Sequence, residues 1–191
     1  FNSEQNGKVI LQALWKPITY NVCFKASSET DADCNYKTFV YDESYFFDSV
    51  PSFSKAGYVI SSWTQTNGDH ANHIWPSDTS VKNLTSQRDE TVELIANWKP
   101  ITYDLVYRSN IEYPYSTMET VYDIPYDTDI ALLEPNESIQ KEGYVFAGWK
   151  FYGNELAEEF ASGIFQPNEA VRNLTETSEA VIVVYPNWKP I

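Results

Sequence analysis

The six residues WKPITY fill positions 15–20 and return unchanged at positions 98–103, and a shortened copy, WKPI, ends at Ile191. Self-similarity of this kind is the signature of a repeat architecture. The tryptophans of the three copies, Trp15, Trp98 and Trp188, stand 83 and 90 residues apart. That period is too long for a solenoid unit and suits a small independent domain, for which roughly 50 to 250 residues is the usual range. Further blocks align between the copies: ITYNVCF (18–24) with ITYDLVY (101–107), FVYD (39–42) with TVYD (120–123), and GYVISSW (57–63) with GYVFAGW (143–149). From Asn83 the run NLTSQRDETVELIANWKPI matches NLTETSEAVIVVYPNWKPI from Asn173 without a gap. The opening residues, FNSEQNGKVILQALWKPI, fit that last block alone. The expected organisation is a terminal strand of a partial repeat (1–18), one repeat domain (19–101) and a second (102–191), drawn from a longer tandem array.

Composition sets what such a unit can be. With 42% hydrophobic and 21% charged residues the chain has a globular composition. A unit of this size buries only about 60 to 65% of the surface its unfolded chain exposes, so its core must be dense in large side chains. Six Trp, fourteen Tyr and ten Phe supply them. A formal charge of −14 opposes binding to nucleic acid or to an anionic membrane surface, and is expected to serve solubility. No run of 18 apolar residues is present and no basic-then-apolar leader opens the chain, so membrane insertion is not expected of this segment.

Periodicity predicts mostly strands. Val92, Leu94, Ala96 and Trp98 alternate with polar residues, as do Ile182, Val184, Pro186 and Trp188, and, in the partial copy, Val9, Leu11, Ala13 and Trp15. Period two places each set on one face of a strand. TYNVCF, TYDLVY and KTFVYD are rich in β-branched and aromatic residues, so each repeat is expected to open with a hairpin. Gly57 and Gly143 precede further strands, where a residue without Cβ can take positive φ. PNESIQKEG (135–143) has a polar start, helix formers and a glycine stop, which predicts a short helix; in DESYFFDSVPSFSKAG, Pro51 leaves room for one or two turns at most. The expected fold class is α+β, predominantly β-strand with a short helix in each repeat.

These blocks resemble a known family. Gly143, Tyr144, Phe146, Gly148 and Trp149, a later alternating strand ending in NWK, and the long period are similar to the Listeria/Bacteroides repeat, the B-repeat of internalin surface proteins. The first repeat departs from the pattern, with Ile60 at the Phe position and Ser62 at the second Gly. The resemblance implies tandem small β-grasp (ubiquitin-like) domains, strung on bacterial surface or secreted proteins as spacers or interaction modules. It therefore implies an extracellular location and neighbouring repeats of the same chain as partners.

At the junction, Trp98 ends one strand and Thr102 begins another, leaving Lys99, Pro100 and Ile101 to connect two domains. Pro100 fixes its own φ and extends Lys99, and Ile101 is expected to pack between the two bodies, so the connector transmits orientation as a flexible linker would not. Duplication alone also explains the repeated spelling. The strand in residues 1–15 either pairs with an exposed edge, here or in a neighbouring molecule, or frays. In a third alternative the true unit is shifted, so that this strand begins a domain.

Chemistry-bearing residues are sparse. His70 and His73 can fill only half of a tetrahedral zinc shell, with Asp69 as the one helper, and the second repeat has no counterpart. Asp31, Asp33, Asn35 and Asp42 follow a calcium-loop register, yet Tyr36 stands where glycine is needed and a strand follows. Glu158 and Glu159 are adjacent acids among 27. Asn83, Asn136 and Asn173 open N-x-Ser/Thr triplets whose turn role explains them as well as glycosylation does. Cys23 and Cys34 are placed to face each other across a hairpin, but Val106 replaces Cys23 in the second repeat, so both the bonded and free forms stay open. No cofactor site and no catalytic constellation is read. Tyr45, Tyr113 and Tyr115 lie in segments where the repeats differ, the usual place for recognition on a shared scaffold. The expected function is a non-catalytic, semi-rigid spacer, and the alternative is an adhesin module binding a host or matrix protein or a glycan through these variable loops.

Overall fold

The computed structural model describes residues 10–29, 33–47 and 53–191. The fold is essentially all-β: among the described residues 46% lie in strands and no helix reaches seven residues. This corrects the α+β, β-grasp expectation of a helix in each repeat. The reason is legible in residues 135–143, where Ile139 is the single apolar anchor, too few for an amphipathic stripe and too short a run to repay helix nucleation. Asn136 takes over the local hydrogen bonding instead, its Oδ1 accepting from the Ser138 amide at 2.9 Å and the Ser138 hydroxyl at 2.7 Å. Ile139 drops into the core and the segment ends in a turn at Gly143. The short 3-10 turn Glu158–Phe160 is elsewhere. Pro51 lies outside the described residues.

The strands are β1 Thr19–Lys25, β2 Asn35–Val40, β3 Tyr45–Phe46, β4 Tyr58–Gln65, β5 Ile74–Pro76, β6 Ser80–Val81, β7 Thr91–Pro100, β8 Thr102–Arg108, β9 Thr117–Pro125, β10 Ile130–Ala131, β11 Tyr144–Tyr152, β12 Ala170–Val171 and β13 Ala180–Pro190. The chain divides into two compact units: Phe1–Ser52 with Ser62–Asn97, and Phe53–Ser61 with Trp98–Ile191. The division does not fall at one point of the sequence, since residues 53–61 of the first repeat fold into the second unit.

Both repeats share one topology. The opening strand pairs antiparallel with the next strand and parallel with the closing strand, β1 with β2 and β7, β8 with β9 and β13. The sheet orders are β2-β1-β7-β4-β5 and β9-β8-β13-β11. Equivalent two-stranded pairs, β3 with β6 and β10 with β12, complete each repeat. The parallel ladders stop at Ile95 and Val184, so Pro100 and Pro190 lie beyond them and their missing N–H groups break no bond to the opening strand. β7 runs on through Pro100, which leaves Ile101 alone between β7 and β8.

The alternating faces form the cores. Val92, Leu94 and Ala96 are buried with Tyr20, Val22, Phe24, Phe39 and Trp63 in the first unit; Ile182 and Val184 are buried with Tyr103, Leu105, Tyr107, Ile124 and Trp149 in the second. Edge-to-face rings dominate, with Phe24 against Trp63 at 5.2 Å and Tyr107 against Trp149 at 5.3 Å between centroids. Two buried polar tips are tied down: the Trp149 indole N–H donates to the Leu133 carbonyl at 2.8 Å, and the Leu84 amide donates to the Tyr20 hydroxyl at 3.2 Å.

Cys23 and Cys34 form a disulfide, with Cα atoms 5.3 Å apart, closing the β1–β2 hairpin. Val106 sits at the Cys23 position in the second repeat and is only half-buried, so the bond belongs to the first unit alone. Replacing Cys23 by Val and Cys34 by Ser should lower the stability of the first unit by about 2 to 3 kcal/mol, the entropy of so short a loop. Urea unfolding followed at Trp63 and Trp149 separately would show the loss in the first and not the second.

Candidate functional site

The polar residues that converge lie in turns rather than on sheet faces. In the second unit, β9 ends and the chain turns through Tyr126 and Asp127, the latter at φ 63°. The Asp127 amide donates to Asn173 Oδ1 at 2.7 Å, and the Asn173 side-chain amide donates back to Asp127 Oδ1 at 2.9 Å. Asn173, also left-handed, is the asparagine of the NLT triplet, so its side chain is committed to pinning this turn. Residues 55–58 of the same unit meet it. Tyr58 donates its hydroxyl to Asp127 Oδ2 at 2.9 Å, and the Lys55 ammonium sits 3.9 Å over the Tyr58 ring. Gly57, at φ +71°, lies so close to the Tyr126 ring that a Cβ there would come within 2.2 Å of it. Ile101 joins the two sides: its amide donates to the Gly57 carbonyl at 2.9 Å and its carbonyl accepts from the Tyr126 amide at 2.9 Å. Its side chain is 3% exposed.

Each half of this arrangement recurs without the other. In the first unit the Asp42 amide donates to Asn83 Oδ1 at 2.6 Å, the Asn83 amide returns a bond to Asp42 Oδ1 at 2.9 Å, and both residues are left-handed. Tyr41 precedes Asp42 and its amide donates to the Ile18 carbonyl at 2.9 Å. Around it lies a cleft of about 440 Å³ lined by Trp15, Lys16, Pro17, Ile18, Tyr41, Asp42 and Ser86. In the second unit Lys141 sits 4.1 Å over the Tyr144 ring and the Ile191 amide donates to the Gly143 carbonyl at 3.1 Å. There Ile191 is 91% exposed and a Cβ on Gly143 would meet nothing within 4 Å.

The register behind these equivalences differs from the sequence alignment of FVYD with TVYD. Tyr20 pairs with Phe39 and Tyr103 with Ile124, so Tyr41–Asp42 corresponds to Tyr126–Asp127. A bulge in β9 between the partners of Tyr103 and Leu105 inserts the offset; Asp123 takes φ 54° there and donates its amide to Asp104 Oδ1 at 2.9 Å. The signal in the sequence was the pair KAGY and KEGY, and YD recurring with an NLT triplet downstream.

The other sequence candidates are dispersed. Tyr113 is 87% exposed, its ring 6.3 Å from Tyr115, over which the Arg108 guanidinium lies at 4.2 Å. Tyr45 is engaged internally: its ring stacks on Phe39 at 3.8 Å, and its hydroxyl accepts from the Val40 amide and donates to Glu43. Phe47 is buried against Phe24 and Trp63, whereas Phe46 is exposed. His70 and His73 pack on Trp75, and among the described residues no three His, Cys, Asp or Glu side chains are grouped to hold a metal ion. Asp31 lies outside the described residues, and the Asp42 carboxylate is taken by Asn83. Trp98, Lys99 and Pro100 continue β7, and Ile101 is the member of that group that enters the site. Comparison with protein-family models, with curated proteins and with solved structures returned no match.

Hydrogen bonds from Asn173 and then Tyr58 hold the Asp127 carboxyl below its ordinary range, and the same bond raises the Tyr58 phenol. A depressed folded-state value means that the contribution is complete above the unfolded carboxylate pKa of about 3.9 and is lost as pH falls through the folded value. Carboxyl NMR should place the Asp127 midpoint below that of free aspartate, and Asn173→Ala or Tyr58→Phe should move it up. Gly57→Ala, which combines left-handed strain with overlap on Tyr126, should destabilise the second unit by about 2 to 5 kcal/mol. Gly143→Ala carries the backbone strain alone, about 1 to 2 kcal/mol; urea titrations of the two variants make the comparison.

Proposed function

We propose that this chain is a non-catalytic spacer element of a bacterial cell-surface or secreted protein, built from tandem repeats whose connector is locked by side chains. The observation that carries the reading is the burial of Ile101. The one residue between β7 and β8 is hydrogen-bonded on both sides and covered, where a tether would be exposed and rich in Gly and Ser. The resemblance of residues 143–149 to the Listeria/Bacteroides repeat supports a surface setting, and the acidic composition suits it. A second reading, an adhesin module, is favoured by one observation: exposed Tyr113 and Tyr115 stand at the β8–β9 hairpin with the half-buried Arg108 over the Tyr115 ring, the composition of binding hot spots.

Spin labels at the exposed positions Asp78 and Glu155 test the spacer reading. A single narrow distance distribution is expected, broadening when Lys99 and Pro100 are both replaced by Gly. A broad distribution in the unaltered chain would remove the spacer. Saturable binding on protein or glycan arrays, lost in Tyr113→Ala/Tyr115→Ala, would establish the adhesin in its place.

A further inference from the structure

We infer that each repeat carries tension along the chain, its parallel ladder acting as a shear clamp against a pull on the repeat's two ends. The inference deepens the spacer reading and rests on it for the source of the load; the resistance itself is read from the strand register. The chain enters a repeat at the start of its opening strand and leaves from the finish of its closing strand. These two strands are neighbours and parallel, from Asn21 opposite Thr91 to Lys25 opposite Ile95 in the first unit, and from Tyr103 opposite Ala180 to Tyr107 opposite Val184 in the second. In a parallel pair the start of one strand and the finish of the other lie at opposite ends of the ladder. A pull through the chain therefore slides the strands along each other and loads the hydrogen bonds between them together. A hairpin such as β1–β2, pulled by its two free ends, would instead open bond by bond.

The surroundings of each ladder suit this role. Each is internal to its sheet, flanked by β2 and β4 in the first and by β9 and β11 in the second, so neither strand can peel from an edge. The inward residues, Val22, Phe24, Val92 and Leu94 in one and Leu105, Tyr107, Ile182 and Val184 in the other, are buried, which keeps water from replacing a strained bond. Matching bonds close the mouth of each ladder: the Asp89 amide donates to the Thr19 carbonyl at 2.9 Å, and the Glu179 amide to the Thr102 carbonyl at 2.8 Å. In the first unit a side-chain tie crosses the same seam. Lys25 on β1 is ion-paired with Glu93 on β7, and Glu93 also accepts from the Thr66 hydroxyl at 2.9 Å. Val183 stands at the Glu93 position of the second repeat, so this tie belongs to the first unit. The Cys23–Cys34 disulfide lies off the seam, tying β1 to β2, and takes the residues between the cysteines out of the path of the force.

Survival under load is set by the unfolding rate, so the direction of pull, with the fold unchanged, is the variable that tests the clamp. The experiment is single-molecule force spectroscopy on the whole chain, held between handles at its two termini. One unfolding event is expected from each unit. Reducing the disulfide should lengthen one of them by about 30 to 35 Å, the 11-residue separation at full reach less the 5.3 Å already spanned, which assigns that event to the first unit. Moving the C-terminal handle to Ser178→Cys, at an exposed position just before β13, turns the pull on the second ladder from sliding to peeling and leaves the first as it was. The second unit should then open at roughly half the force or less, its bonds lost one at a time, and the first at its former force. Glu176→Cys gives a second handle in the same exposed turn, and each variant pulled from its termini should keep the parent forces. Equal forces in the two geometries, or a drop confined to the event that lengthens on reduction, would overturn the inference. A broad spin-label distribution beside geometry-dependent forces would sink the spacer and leave the clamp standing; a narrow distribution with forces indifferent to geometry would do the opposite.

Discussion

The parallel ladder between the opening and closing strands of each repeat is the constraint from which the rest follows. Parallel strands need a long connection, and here the whole repeat is that connection. Once β8 and β13 are side by side, with Leu105 opposite Ile182 and Tyr107 opposite Val184, their inward faces demand cover. Trp149, Phe151, Leu132 and Leu174 provide it without a helix, because large aromatic rings reach across space that aliphatic chains would leave open. The first unit solves the same problem with Trp63, Phe47, Leu84 and Val81, and adds β5 and a disulfide.

Much of this was legible before any coordinates. The alternation at Val92, Leu94 and Ala96 identified the buried face of β7, and Gly57 and Gly143 marked positive-φ turns, at +71° and +77°. The helix at 135–143 was misread because its end signals, a polar start and a glycine stop, are equally those of an Asx turn followed by a β-turn. What distinguishes them is apolar periodicity, and one isoleucine has none. The repeat alignment slipped around residues 120–123 for a different reason. A β-bulge adds a residue without changing the local pattern of β-branched and aromatic residues, so TVYD looked like FVYD while the structural counterpart, IPYD, followed it.

The candidate site was hidden for a related cause. Its members, Asp42 with Asn83 and Asp127 with Asn173, are residues that read individually as solvated turn formers, and 41 and 46 positions separate the partners in each pair. Only the fold brings them together. Their left-handed backbone suits Asp and Asn, whose short side chains satisfy local amides, so one residue type serves both the turn and the contact it makes. The exposed tyrosines at the β8–β9 hairpin were easier to find because exposure there follows from the variability of the loop.

Ile18, Ile101 and Ile191 are one residue of the repeat in three degrees of cover: half-buried, enclosed and bare. The enclosed copy is the one whose amide and carbonyl are both bonded within the second unit, to Gly57 and Tyr126. Local opening costs most where a backbone group is both bonded and covered, so one residue type placed three times marks both slow and fast points of hydrogen exchange along the chain.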